Sequence, residues 1–331
     1  MMRQPRFWQE KGHPASTMLG PVAFTWNAAG KLRRLITRQR KTPIPSICVG
    51  NVTVGGAGKT PVTIAIAEIL RELGGLPAIA TRGYGARIGH GVVHVDPLYH
   101  TAADVGDEPL LLVRAAPCYV SHDRYQAALA AKIGGASHVI FDDGMQNPRL
   151  AYDAVFLVID GGYGIGNGLI LPAGPLRESL ADALKRCHAV VIIGEDLHGV
   201  AAHIPAGKPV FRAAVVPEFL PDLPPSGKFL AFAGIARPEK FFETCRNAGL
   251  HLAGTESFAD HYPYTATDME TLDKQAVALN AGLLTTAKDA VRLPADWAGR
   301  VKTLAVKLQF DDPRTIRQFL PNIHHAWSFA S

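Results

Sequence analysis

The run Gly55-Gly56-Ala57-Gly58-Lys59-Thr60 combines the residue types that a triphosphate requires. Glycines let successive backbone N–H groups turn toward an anion, a lysine reaches the outer phosphates, and the adjacent hydroxyl can ligate Mg2+. The full stretch, VGNVTVGGAGKTP, departs from the pattern G-x-x-x-x-G-K-[ST], because Thr53 stands where the first glycine belongs. An apolar run precedes the loop. Val62, Ile66, Ile69, Leu70 and Leu73 share a helical face after it, and Pro61 sits in the first turn, where proline is tolerated. Strand, glycine loop and helix in that order predict a variant phosphate loop that binds a nucleoside triphosphate.

Carboxylates come from other segments. SHVIFDDG is an apolar strand ending in Asp142-Asp143, which places two acids at the carboxyl edge of a sheet, where Mg2+ would be held. DVGDEP gathers Asp104, Asp107 and Glu108. This cluster reads either as a base or metal site for a hydroxyl acceptor or as a solvated loop that opens a helix. FADHYPY sets His261 beside Asp260. Arg82 in TRGYGAR and Arg177 in LPAGPLRES lie in Gly/Pro-shaped loops, able to grip phosphate bidentately or to satisfy loop carbonyls. TTAKD resembles the guanine-reading N-K-x-D, but Lys288 and Asp289 are adjacent, so the spacing disfavours a GTPase.

These residues need a scaffold. Between Ile44 and Leu184, short apolar runs alternate with helical segments, the pattern of a parallel sheet with crossover helices. VVPEFLPDLPPSGK (215–228) reads as a linker, after which FLAFAGI opens a second, smaller α/β unit. Within that unit, Thr267 and Glu270 form a capping-box pattern for a helix over 268–280. The expected fold is therefore α/β: a three-layer phosphate-loop domain over 41–214, a smaller α/β domain over 215–331, and an N-terminal amphipathic helix within 1–40.

Composition narrows the function. The 331 residues suffice for two ordinary domains. Residues 1–41 hold nine Lys/Arg against Glu10 alone, a net +8, so the remainder carries −3 of the overall +5. A slightly acidic body is a poor general nucleic-acid binder. Four widely spaced cysteines make neither a disulfide framework nor a zinc knuckle. No run reaches the length of a spanning helix. From Pro21, the residues Val22, Trp26, Ala29, Leu32 and Ile36 share one helical face, with Lys31, Arg34 and Arg38 largely elsewhere. Such a helix suits either the interface of an anionic membrane or packing on the protein's own core.

Taken together, VGNVTVGGAGKTP, TRGYG, GDEP, FDDGMQN, LPAGPLRES, FADHYPYT and TTAKDAVRL resemble, in order and over nearly the whole chain, the tetraacyldisaccharide 4'-kinase family of lipid A biosynthesis. The resemblance implies transfer of the ATP γ-phosphoryl group, with Mg2+, to the 4'-hydroxyl of an acylated glucosamine disaccharide 1-phosphate. It also implies a peripheral site of action at the cytoplasmic face of the bacterial inner membrane, with no obligatory protein partner. Carried over, Lys59 and Thr60 serve the phosphate loop, and Asp142 and Asp143 lie beside the metal with Glu108. Asp107 is the base with His261 as its partner, and Arg82, Arg124, Gln146, Asn147 and Arg177 belong to the substrate side. The family reads DDGFQH where this chain has Met145 and Asn147, and Asn147 can hydrogen-bond but cannot carry charge. A regulatory ATPase of the partitioning type shares a similar loop, but Thr53-Val54-Gly55 lacks the lysine such proteins place there.

Overall fold

The computed structural model describes residues 5–218 and 227–328, with side chains up to residue 321. Most of the expected linker (219–226) lies outside the described residues.

A nine-stranded sheet forms the larger unit. Its strands run in the order Val306–Phe310, Val210–Pro217, Ala189–Ile193, Ala154–Asp160, Ser46–Gly50, His138–Asp142, Pro77–Thr81, Cys118–Val120, Val93–His94. The seven inner strands are parallel and the two edge strands antiparallel. Ser46–Gly50, Pro77–Thr81, His138–Asp142, Ala154–Asp160 and Ala189–Ile193 are buried at every position, which explains their continuous apolar runs. The helix Lys59–Glu72 covers one face through Val62, Ile66, Ile69 and Leu70. Ala127, Ala128, Ala183 and Leu184, from two other helices, cover the opposite face. The result is a three-layer α/β/α unit. The glycine loop leaves the central strand Ser46–Gly50, and Asp142 ends its neighbour, so both meet at the carboxyl edge of the sheet.

The second sheet is fully parallel, in the order His251–Ser257, Lys228–Ala233, Gly282–Thr286, Lys302–Leu304. The helix Pro238–Asn247 packs on one face through Phe241, Phe242 and Cys245, and Ala266–Ala278 on the other through Met269, Leu272 and Ala276. The capping box of Ala266–Ala278 is made by Thr265 and Asp268, not by Thr267 and Glu270. The same spacing occurs twice in this segment, and the helix starts at the earlier copy.

The chain does not stay in the second unit to its end. Val306–Phe310 pairs antiparallel with Val210–Pro217 at the edge of the large sheet. In the following helix, Pro313–Ser328, Ile316 and Leu320 are buried in the first unit's core, and Phe319 packs edge-on to Phe156 and Phe211. The expectation that 215–331 forms one block is thus corrected, because the last strand's apolar face is completed by Phe211 rather than by the smaller sheet.

The N-terminal helix, Pro14–Ile36, includes Pro21 rather than starting there. Its inward face is small and polar: Ser16 and Ala23 are buried. Asn167 Nδ2 donates to Ser16 Oγ, Lys31 pairs with Asp182 at 3.0 Å and Arg34 with Glu178 at 3.4 Å. Two of the cations expected beside lipid headgroups are therefore committed to docking the helix. Val22, Phe24, Trp26, Leu32, Leu35 and Ile36 face outward and are exposed.

Candidate active site

The phosphate loop owes its shape to two kinds of residue. Gly58 takes φ +84° as the N-cap of Lys59–Glu72, and a Cβ there would lie 2.5 Å from Ile193 Cδ1, so only glycine fits without displacement. Thr53, in place of the missing glycine, is buried and bridges to Leu176, while Val54 N–H donates to Pro175 O. This end of the loop is anchored to the LPAGPLRES segment instead of turning tightly on itself. Asn51 Nδ2 donates to Thr53 O, and Asn51 Oδ1 accepts Lys59 Nζ at 3.2 Å. The lysine that a triphosphate would engage is thus held over the loop by Asn51, a residue the sequence did not single out.

Asp142 and Asp143 occupy different electrostatic settings. Asp142 is fully buried, and burial pushes its carboxyl up to about 6 against the pull of Lys59. It accepts the hydroxyl of Thr63 at 3.0 Å, one helical turn beyond Thr60. Asp143 would also be raised by burial, but Lys59 at 3.7 Å and Arg177 at 3.0 Å hold it below the usual carboxylate range. Asp143 takes φ +53°, which presents its backbone carbonyl to Arg124 Nη2. The acid set fits Mg2+: a buried carboxylate disfavoured as an anion is what a divalent ion would stabilise, and Thr60 lies half-buried one helical turn before Thr63, which bonds Asp142. Among the described residues no three acidic, His or Cys side chains converge on one point. Mg2+ takes one or two carboxylates and fills its other positions with phosphate and water.

Asp107 and His261 come from separate units and meet at 2.8 Å, His261 Nδ1 to Asp107 Oδ2. Asp107 follows Gly106, whose φ of +92° turns the chain into the helix Asp107–Leu112. A Cβ at Gly106 would strike Tyr84 O at 2.9 Å. His261 itself has φ +58° and is stabilised there by N–H donation to Gly234 O. Lys288 Nζ lies 3.2 Å from His261 Nε2 and 2.8 Å from Glu108 Oε1. An ammonium only donates, so Nε2 accepts and Nδ1 carries the proton toward Asp107. Arg292 Nε adds a second contact to Asp107 Oδ2 at 3.2 Å. The charge of Glu108 acts in turn on Asp142, which links this cluster to the phosphate-loop acids. Asp104 stands apart: it caps the helix Ala102–Val105 through Thr101.

The remaining sequence candidates divide. Arg177 and Gln146 join the Asp143 wall, since Arg177 Nη1 donates to Gln146 Oε1, and Gln146 Nε2 reaches Asn51 O and Glu178. Arg82 is exposed. Asn147 Oδ1 accepts Arg149 N–H, a local turn contact. Met145 is buried under the phosphate-loop strand, where a Cβ on Gly50 would lie 2.4 Å from its own Cβ. Asn51, Thr63, Glu178, Lys288 and Arg292 were missed as site residues. All but Thr63 lay in segments already noted, and TTAKD, which holds Lys288, was tested against guanine recognition alone.

Comparison with known proteins fits this geometry. Residues 15–324 match the tetraacyldisaccharide-1-P 4'-kinase (LpxK) family. The chain belongs to that family. Relatives named tetraacyldisaccharide 4'-kinase include one from Rhodospirillum rubrum, 45% identical over 94% of this chain and 95% of its own. Another, from Parvibaculum lavamentivorans, is 48% identical over 88% and 87%. An LpxK crystal structure from Aquifex aeolicus in complex with ATP superposes with a TM-score of 0.76 at 24% identity, covering 93% of this chain and 99% of that one. It shows that the two-sheet arrangement is the LpxK fold.

Proposed function

We propose that this chain transfers the γ-phosphoryl group of ATP to the 4'-hydroxyl of a tetraacylated glucosamine disaccharide 1-phosphate, yielding the 4'-phosphorylated lipid and ADP. Family membership supports the reaction. The observation that carries its chemistry is the pairing of Asp107 with His261 across the two units, beside the phosphate-loop acids.

In this reading the glycine loop and Lys59 bind the triphosphate. Thr60, Asp142 and Asp143, with Glu108 nearby, would hold Mg2+, which supplies charge neutralisation to the phosphates when bound. Arg177 and Arg124 lie against Asp143, where guanidinium groups can meet phosphate oxygens. Asp107 accepts the proton as the acceptor's O–H bond breaks, its oxygen bonds to the γ-phosphorus, and the bond to the ADP oxygen breaks. His261, already donating to Oδ2, orients the carboxylate rather than taking the proton itself.

The N-terminal helix supports a peripheral membrane position. No described helix is long and apolar enough to cross a membrane. The helix instead turns Val22, Phe24, Trp26, Leu35 and Ile36 outward while its polar face docks on the body. A tetraacylated disaccharide leaves a bilayer with difficulty, so an enzyme seated in the interface, on the cytoplasmic side where ATP is available, reaches it in place. Replacement of Asp107 by alanine tests the chemistry. Turnover should fall by roughly 100-fold or more while ATP binding persists; wild-type turnover would remove Asp107 from the role of base.

A further inference from the structure

TTAKDAVRL brings Lys288 to Glu108 and Arg292 to Asp107. We propose that Arg292 is a positioning residue for phosphoryl transfer: it holds one oxygen of Asp107 from the smaller unit and leaves the other oxygen to receive the acceptor's proton. This assignment rests on the reading of Asp107 as the base.

The Arg292 side chain is only 4% exposed and its donors are almost all committed to the second unit. Nη1 donates to Tyr262 O at 3.0 Å, Nη2 to Gly234 O at 3.1 Å and to Asp289 Oδ1 at 2.8 Å, and Nε to Lys288 O at 3.2 Å. Asp289 is fully buried and is itself fixed, since its Oδ1 also accepts Gly234 N–H and the Tyr264 hydroxyl, and its Oδ2 accepts Thr286 Oγ1. The guanidinium is therefore a rigid plate in the smaller domain. Its Nε edge reaches out to Asp107 in the larger one.

Both this contact and that of His261 land on Asp107 Oδ2; neither touches Oδ1. A carboxylate held through one oxygen by a hydrogen bond from His261 and an ion pair with Arg292 loses rotation about its last torsion. The free oxygen then points in a fixed direction. Lysine cannot replace this arrangement, because a point charge on a flexible stem cannot bond Asp289 and three carbonyls and also pair with Asp107. The geometry also makes placement of the base conditional on the two units being together, since Arg292 and His261 both come from the unit that carries neither the phosphate loop nor Asp107.

A double-mutant cycle on the full-length enzyme with Arg292→Lys and Asp107→Asn tests the assignment, with steady-state kinetics, ATP affinity and thermal melting measured for each variant. Arg292→Lys should lower kcat by about 100-fold, as expected for a misplaced reacting group. The KM for ATP should stay within about threefold of wild type, because the phosphate loop lies in the other unit. In the Asp107→Asn background the same change should cost less than about threefold more, because its effect passes through the missing carboxylate. If Arg292→Lys lowers the melting temperature, Arg292→Gln, which retains donors for the Gly234 and Tyr262 carbonyls, enters the same cycle. Losses that multiply, or wild-type turnover in a folded Arg292 variant, would overturn the role of Arg292 while leaving Asp107 as base. Wild-type turnover of Asp107→Asn would instead overturn the base reading itself.

Discussion

Replacing Asp160 by asparagine should loosen the contact between the two units without disturbing either core. Asp160 ends the strand Ala154–Asp160 beside the phosphate-loop strand and is 5% exposed. Its Oδ2 receives Arg237 Nη2 at 2.6 Å and Lys240 Nζ at 2.8 Å, both from the start of the helix Pro238–Asn247 region of the smaller unit. Arg237 Nη2 also donates to Gly56 O, inside the phosphate loop. Asp160 Oδ1 accepts the Gly162 and Tyr163 N–H groups, contacts an asparagine oxygen can keep. The substitution thus removes two charge-assisted bonds and turns an amide donor toward two cations. Each such bond contributes about 1.5–3 kcal/mol when fully desolvated. Arg237 and Lys240 are 32% and 47% exposed and recover hydration when released, so the loss is closer to 0.5–1 kcal/mol apiece. A total of about 1–2 kcal/mol moves the closed-to-open ratio by roughly 5- to 30-fold. Burial alone would raise Asp160, but Arg237 and Lys240 overcome it and hold the carboxyl below its usual range. A depressed folded value means the contribution is complete above the unfolded carboxylate range and is lost only as pH falls through the folded value. At neutral pH the full effect is therefore observable. Fluorescent labels on cysteines placed at the exposed Ile133 and Val277 report the distance between units, and the four native cysteines are buried and spared. Asp160→Asn should add a longer-distance population and raise the KM for lipid. An unchanged distance distribution with unchanged melting would refute the energetic argument.

Trp26→Glu with Leu35→Glu should reduce partitioning onto anionic vesicles at least about tenfold, while melting stays unchanged because neither side chain docks the helix; equal partitioning would remove this face from membrane binding. Gly58→Ala should cost about 1–2 kcal/mol from its left-handed backbone, more if Ile193 cannot retreat, and should weaken ATP binding in calorimetry. Metal-free stability should fall as pH rises from about 4 to 6, because burial raises Asp142 to about 6 and the folded chain then holds that proton more tightly than the unfolded one. The decline should level off above that window and should vanish in Asp142→Asn, as followed by urea unfolding at each pH.

Much of the fold was legible because the relevant signals are local. Fully buried parallel strands write continuous apolar runs, and the glycine loop followed by an amphipathic helix keeps its order in any context. The acidic pair at Asp142 and the separate Asp107 and His261 segments were also visible as residue types. Their meeting was not, since His261 and Asp107 lie 154 positions apart and only the return of the second sheet brings them together. Arg237 and Asp160 escaped for the same reason, being an ordinary helix-start arginine and an ordinary strand-end acid until the two units are placed. The amphipathic pattern of Pro14–Ile36 was readable, whereas its direction was not: periodicity gives a face and leaves open whether that face turns inward. The return of Val306–Phe310 to the first sheet likewise depends on a partner strand some 90 residues away, beyond any local pattern.

In the proposed reaction the phosphoryl group leaves ATP for the 4'-hydroxyl of an acylated disaccharide. Incubation with γ-labelled ATP, Mg2+ and tetraacyldisaccharide 1-phosphate, followed by phosphorus NMR of the recovered lipid, measures it directly. One new phosphomonoester at the 4' position is expected, formed with one ADP per lipid and absent without acceptor. ATP hydrolysis at the same rate with and without the lipid, and no new lipid phosphate, would contradict it.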